Sequence, residues 1–257
     1  MKVVIVGSGN TATVLSAIIH KADHTIVQVV SRNIDNARSL ASLYNASSAT
    51  LTDPKFEEAD IYIVALNDAA LDNDNIEKIP ALKDKLVVHT AGAISIDALK
   101  SCSNTYGVLY PLQTLSKFTD HIPQIPFLVS GNNKETLHRI MGFARSISDN
   151  VSEANDAERL NYHVAAVFVS NFANHMFALA ELFCQKEKLE FKNLLPLINE
   201  VNERVNHHSP YLTQTGPAMR NDVFTLNRHL QALLAHPDLK YIYLKMSESI
   251  IKVHGKR

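Results

Sequence analysis

The opening residues, MKVVIVGSGNTA, constrain this chain most, because a β-branched run from Lys2 to Val6 enters the glycine turn Gly7-Ser8-Gly9-Asn10-Thr11-Ala12 and leaves it in helical pattern. A run of that composition suits a strand buried on both faces of a parallel sheet. Within such a unit, Gly7 permits the tight turn and Gly9 keeps a β-carbon out of the way of an approaching pyrophosphate. Ala12 then lets the helix pack closely on the strand. The helix start offers unpaired N–H groups and the positive end of its dipole to phosphate. Gly7, Ser8, Gly9, Asn10 and Thr11 are therefore read as a dinucleotide-binding turn, in preference to a glycine turn with only a structural role.

The second strand, Thr25 to Val30, ends at Ser31-Arg32-Asn33. A carboxylate there would bond the adenosine ribose 2′-hydroxyl and repel a 2′-phosphate, whereas Ser31 and Arg32 donate to that phosphate. The expected cofactor is NADP(H) rather than NAD(H). An exposed arginine carrying only a solvated charge is the competing reading.

Strand and helix signals alternate to about residue 150. A helical pattern over Ile34 to Tyr44 is followed by apolar runs at Ile61 to Leu66, Leu86 to His89, Tyr106 to Tyr110 and Phe127 to Ser130, then by a helix over Lys134 to Ser148. That alternation predicts a Rossmann-like, doubly wound α/β sheet whose ligands lie beyond the carboxyl ends of its strands. From Ala154 the pattern is helical throughout, which predicts an all-α C-terminal domain. The expected domains are 1–153 for the cofactor and 154–257 for substrate and dimerisation, with the site in the cleft between them. A long helix from Asp156 to Gln185 carries an apolar face through Leu160, Val164, Val167, Phe168, Phe172, Phe177 and Leu179. Further helices are expected over Leu194 to His207, Ala218 to His236 and Leu239 to Val253.

Composition narrows the partners. The 257 residues hold 25 basic and 26 acidic side chains, so no global field recruits nucleic acid or an anionic membrane. The amino-terminus reads directly into the first strand, and no run of about 18 apolar residues is evident, so a cytoplasmic protein without a membrane segment is expected. Cys102 and Cys184 belong to no paired motif, and the 12 histidines form no HExxH, so neither a disulfide framework nor a metal site is expected.

Polar groups at strand ends and on the long helix are the candidates for chemistry. Leu66 and Asn67 follow one strand, and His89 and Thr90 begin the segment His89-Thr90-Ala91-Gly92-Ala93 after the next, so both segments border the nicotinamide half of the ligand. The small residues Ala91 to Ala93 would let a flat ring lie against the backbone, and Tyr110 to Thr114 would wall the pocket. Pro111 is read equally as a chain reversal, with a cis bond considered. On the long helix, His163, Ser170 and Asn174 are spaced by seven and four, with Asn171 and His175 alongside, as a polar stripe requires. One reading makes His163 the acid or base that accompanies hydride movement, with Asn171 on the substrate oxygen and Ser170 beside it. The other makes these groups a packing network or plain surface. Thr215 to Asp222 reads as a capped helix start in which Arg220 holds a substrate anion or pairs with Asp222.

The motifs GSGNTA, HTAGA, GVLYPLQT, HVAAVFVSNF and TGPAMRND, spread over nearly the whole length, resemble the bacterial Rossmann-like proteins that carry a C-terminal helical domain of unknown function. Those proteins are similar in turn to deazaflavin-linked NADP oxidoreductases, ketopantoate and pyrroline-5-carboxylate reductases, and β-hydroxyacid dehydrogenases. The resemblance implies an amino-terminal NADP domain and a helical domain that dimerises. It also exposes a departure. The β-hydroxyacid dehydrogenases place a lysine and an asparagine four residues apart on the interdomain helix, whereas Asn161 to His175 contains no lysine, and His163 and Val167 stand nearest those positions. The expected function is an NADP(H)-dependent oxidoreductase acting on a small polar molecule, as a homodimer. The alternative is a non-catalytic NADP-binding sensor or regulatory protein.

Overall fold

The computed structural model describes residues 1–52, 55–72, 82–117 and 122–255. Eight strands form one sheet: β1 (Lys2–Val6), β2 (Thr25–Ser31), β3 (Ser47–Thr50), β4 (Ile61–Val64), β5 (Leu86–His89), β6 (Thr105–Pro111), β7 (Phe127–Gly131) and β8 (Val151–Glu153). Their order is β3-β2-β1-β4-β5-β6-β7-β8, parallel at every pairing except β6 with β7. Helices α1 (Asn10–Lys21), α2 (Ile34–Ser42), α3 (Asp68–Asp72) and α4 (Lys134–Ile147) connect them.

The apolar run of β1 is buried on both faces because alternate residues enter different cores. Val3 and Ile5 join Leu15 and Ile19 of α1 with Ile140 and Phe143 of α4. Val4 and Val6 join Tyr62 and Val64 of β4, Val87 of β5 and Leu99. Ala12 is wholly buried, as close packing of helix on strand requires. The order reverses between β1 and β4, so the carboxyl ends of these two strands diverge and open a crevice.

Two strands escaped the sequence pattern. β3 reads Ser-Ser-Ala-Thr and lies on the sheet edge, where partial exposure removes the apolar signal, and β8 is only three residues long. Among the described residues no peptide bond is cis, so Pro111 ends β6 with a trans bond.

Beyond β8 the chain is helical: α5 (Asp156–Ala166), a π-helical segment (Val167–Phe172), α6 (Ala173–Lys186), α7 (Leu195–His207), α8 (Val223–Ala232) and α9 (Pro237–His254). The helix expected from Ala218 begins only at Val223. Asn221 takes a left-handed φ of 53°, and Asp222 caps α8 by accepting from the Thr225 amide at 3.0 Å and hydroxyl at 2.7 Å. The long helix spans Asp156 to Lys186 and, at 31 residues, is long and apolar enough to cross a bilayer by length and composition only. Its apolar face is largely uncovered, with Val169 at 78% and Phe168 at 64% exposure.

Two compact units emerge, Met1–Phe172 and Ala173–Arg257. The first takes in α5 and the π segment, beyond the boundary expected at Ala154, because polar contacts described below tie them to β5 and β6. Replacing Ile5, wholly buried at the centre of the sheet, with alanine is expected to cost about 2–5 kcal/mol of unfolding free energy. Urea denaturation followed by far-UV circular dichroism measures it, and a loss below about 1 kcal/mol would contradict this view of the core.

Candidate active site

The glycine turn sits at the carboxyl end of β1. Gly7 has φ +129°, a conformation only glycine adopts freely, and a β-carbon there would collide with the Ala65 carbonyl at the end of β4. Its amide donates to the Val30 carbonyl at 2.7 Å, so the turn is fixed to both neighbouring strands. Gly9 differs, because nothing lies within 4 Å of the place a β-carbon would take. It caps α1 with no side-chain hydrogen bond, whereas Asn33, Asn133 and Asn155 cap α2, α4 and α5 through theirs. The first amides of α1 are thus left without an intrahelical or capping side-chain partner.

Ser8 and Ser31, 23 positions apart, meet through their hydroxyls at 2.7 Å. Ser31 is buried at the end of β2 and Arg32 beside it is exposed. The nearby Asp35 pairs with Arg38 at 3.4 Å. Asn10 accepts from the Lys117 amide at 3.4 Å, and Asn67 turns back to accept from the Ala70 amide at 3.0 Å. Open space before Gly9, uncapped amides, and a serine pair beside an arginine at the end of β2 fit a dinucleotide with a 2′-phosphate.

Further along the same sheet edge, β5 and β6 end at His89 and Pro111. His89 is fully buried, and both ring nitrogens are engaged: Nδ1 accepts from the Ala91 amide at 3.2 Å, and Nε2 lies 3.2 Å from the Ser95 carbonyl. Burial, reinforced by the Arg159 charge, pushes its pKa down to about 4, so the ring is neutral and holds the 91–95 turn. Thr90 is buried too, its amide 3.3 Å from the Val64 carbonyl of β4.

The beginning of α5 locks onto this turn. Asp156 accepts from the Ser95 hydroxyl at 2.6 Å, from the Ile96 amide at 3.2 Å and from Arg159 at 2.8 Å. The Arg159 guanidinium also donates to the Ile94 carbonyl and is 1% exposed. Burial works to raise the Asp156 pKa, but the Ser95, Arg159 and Ile96 bonds outweigh it and hold the carboxyl below its ordinary value. One turn on, His163 Nδ1 lies 2.8 Å from the Tyr110 hydroxyl, and the two rings meet edge to face. Burial, and next the Asp68 carboxylate, raise the Tyr110 pKa. A β-carbon on Gly92 would lie 2.8 Å from His163 Nδ1. The small residue expected to admit a ligand's flat ring thus admits the protein's own imidazole.

His163, Ser170 and Asn171 line one cavity of 380 Å³ together with Tyr110, Gln113 and Thr114, all within the Met1–Phe172 unit. The π segment carries Ser170 and Asn171, and the Ser170 hydroxyl lies 2.5 Å from that of Thr114. Asn174 and His175, expected on the same stripe, are exposed in α6, because the π segment alters the helical phase after Ala166. Arg220 is exposed on the turn before α8, in the Ala173–Arg257 unit. The sequence had marked Tyr110 only as a wall and passed over Asp156 and Arg159, although two opposite charges opening an otherwise apolar helix were visible. Among the described residues no cluster could hold a metal ion.

Comparison with known proteins agrees with this geometry. Residues 2–92 match the family model of coenzyme F420-dependent NADP oxidoreductases, and residues 125–250 match that of a domain of unknown function, DUF2520. A candidate NADP oxidoreductase from Bacteroides fragilis is 36% identical over 98% of each chain, with a TM-score of 0.89. The chain belongs to this NADP oxidoreductase family. Family membership gives NADP(H) as the cofactor, which the Gly7–Thr11 turn and the Ser31–Arg32 pair fit. Among more distant structures with the same fold, a reductive aminase from Aspergillus terreus in complex with NADPH is 15% identical over 100% of this chain and 96% of its own, with a TM-score of 0.67. The 1-pyrroline-5-carboxylate reductase of Streptococcus pyogenes is 13% identical over 97% and 98%, with a TM-score of 0.64. No curated protein matches the sequence significantly.

The lowered His89 pKa gives this member of the family a pH signature. The unfolded ring, with its ordinary pKa of 6.5, binds a proton that the folded ring refuses until about pH 4. The His89 contribution to stability is therefore complete above about pH 6.5 and is lost as the pH falls toward 4, with an upper bound of about 3 kcal/mol. Denaturation of the wild type and His89→Asn across this window should give curves that converge as the pH falls; parallel curves would show that His89 is not the group responsible.

Proposed function

We propose that this protein is an NADP(H)-dependent oxidoreductase acting on a small carbonyl or imine compound in the cavity beside His163. The observation that carries the reading is the sheet order. β1, with the glycine turn, and β5, with the turn against His163, are separated by β4 alone, an offset of about 10 Å along one sheet edge. A dinucleotide whose pyrophosphate lies on the Gly7–Thr11 amides reaches Ser31 and Arg32 on one side. On the other it reaches the main chain of Leu66, Asn67, His89 and Thr90.

Bound NADPH supplies the hydride for the carbon of a C=O or C=N bond and leaves as NADP⁺, while the heteroatom takes a proton from the protein. The Tyr110 hydroxyl, kept protonated by burial, engages His163 at Nδ1 and leaves Nε2 for the substrate. As imidazolium, with Nδ1–H donating to the Tyr110 oxygen, His163 gives its Nε2 proton to the heteroatom in reduction and becomes neutral; in oxidation the neutral ring takes that proton back at Nε2. Asn171 hydrogen-bonds the substrate heteroatom, and the Ser170–Thr114 pair fixes its orientation. Asp156 and Arg159 position His163 by anchoring α5. The missing lysine in Asn161–His175 favours a second reading, an NADP-binding sensor without turnover, which requires the same cofactor contacts and no role for His163 in chemistry.

The uncovered apolar surface supports a homodimer. Phe168, Val169 and Phe172 on the long helix, with Leu212 at 80% and Phe224 at 72% exposure, form more apolar surface than a single soluble chain ordinarily leaves bare. A second copy covers it, and the protein works in the cytoplasm.

Arg32→Glu should weaken NADPH binding about tenfold or more and leave NADH binding unchanged or improved, as calorimetry will show. Equal loss of both cofactors would remove the 2′-phosphate assignment. His163→Ala should lower turnover by about 10²-fold or more with NADPH affinity intact; binding without turnover of any carbonyl or imine by the wild type favours the sensor. Sedimentation velocity should report a dimer that Phe224→Glu weakens, and a monomeric wild type contradicts the assembly.

A further inference from the structure

The connection from β6 to β7 is longer than their pairing requires. Antiparallel neighbours need only about two to five residues between them, yet residues 112–126 join these two strands. The Leu112 amide and the Gln113 side chain still follow the pair, donating to the Pro126 and Gln124 carbonyls at 2.8 and 3.2 Å. The chain then leaves it for α1. Thr114 meets Ser170 in the His163 cavity, and Leu115 packs on the core that holds Val14 and Leu15. Leu115, Ser116 and Lys117 lie across a hollow of 240 Å³ from Thr13, Val14 and Ala17 of α1. The Lys117 amide donates to Asn10 Oδ1 at 3.4 Å. Three residues beyond the cavity wall, the connection thus sets an exposed lysine beside the first residue of α1.

A lysine is ordinarily out of place there. The positive end of a helix dipole disfavours a cation and favours a carboxylate in the first turn. In the same unit α2, α3, α4 and α5 follow that rule with Asp35, Asp68, Glu135 and Asp156. The first turn of α1 carries no acidic residue, and Gly9 gives it no side-chain cap. A diphosphate reconciles the three features, because its negative charges suit the lysine, the dipole and the uncapped amides alike. The flexible four-carbon stem of lysine lets its ammonium reach a diphosphate lying on the first-turn amides.

We propose that Lys117 binds the cofactor diphosphate, as a point charge brought over it by the β6–β7 connection. This rests on the reading that places the diphosphate on the Gly7–Thr11 amides. NADPH and NADH share that diphosphate, so Lys117 supplies affinity for both and does not choose between them, whereas Arg32 does.

Calorimetric titration of the protein with NADPH and with NADH, at low and at high salt, tests it. Lys117→Gln should weaken both cofactors about tenfold, and its affinity should fall less steeply with salt than that of the wild type. Lys117→Arg, which keeps the charge, should stay within about threefold of the wild type. The melting temperature of ligand-free Lys117→Gln should match the wild type, which separates lost binding from a disturbed connection. Unchanged affinity in Lys117→Gln, a loss confined to NADPH, or an equal loss in Lys117→Arg overturns the inference. Gly9→Asp, which puts a capping carboxylate on the same amides, tests the placement of the diphosphate by itself and should abolish binding of both cofactors. Binding retained in Gly9→Asp removes that placement and the role of Lys117 with it; binding lost in Gly9→Asp but unchanged in Lys117→Gln removes Lys117 alone.

Discussion

The ligand edge of this molecule depends on one close approach, that of the Gly7 backbone to the carbonyl of Ala65. With φ at +129° and no room for a β-carbon, Gly7 ends β1 abruptly and turns the chain into α1 between the diverging ends of β2 and β4. The uncapped amides of α1, the meeting of Ser8 with Ser31 and the open space before Gly9 all follow from where that turn is pinned. At position 9, by contrast, nothing lies within 4 Å of the place a β-carbon would take, so the packing around it does not require a glycine.

A second anchorage brings chemistry to that edge. Asp156 and Arg159 spend their charges on the turn after β5, and a buried arginine is costly unless paired and hydrogen-bonded. The return is positional: α5 is held so that His163 lies over Gly92 and against Tyr110, and the π segment then turns Ser170 and Asn171 toward the same cavity. His89, neutral and with both nitrogens engaged, braces the turn from within the sheet.

What was legible in the sequence was whatever a local pattern encodes. β1, the glycine turn and the buried strands β2, β4, β5 and β6 each carry apolar runs or turn chemistry, and the pair Ser31-Arg32 could be read because the strand before it fixes its position. Edge strand β3 could not be read, since a half-exposed Ser-Ser-Ala-Thr has no hydrophobic signature. The polar stripe was half legible: a seven-residue spacing linked His163 to Ser170, but the π segment, which no pattern announced, separated Asn174 and His175 from them. The Tyr110–His163 and Asp156–Ser95 contacts span 53 and 61 positions, and such pairings come from tertiary packing that one sequence does not encode locally.

The central claim is that the cofactor crosses the β1–β4 switch point and ends its nicotinamide beside His163. A crystal structure of the protein with NADP⁺ tests it most directly. The account predicts pyrophosphate on the Gly7–Thr11 amides, 2′-phosphate on Ser31 and Arg32, and the nicotinamide ring opening onto the cavity lined by His163 and Asn171. A nicotinamide lying away from that cavity, with the pyrophosphate in the glycine turn, would contradict it.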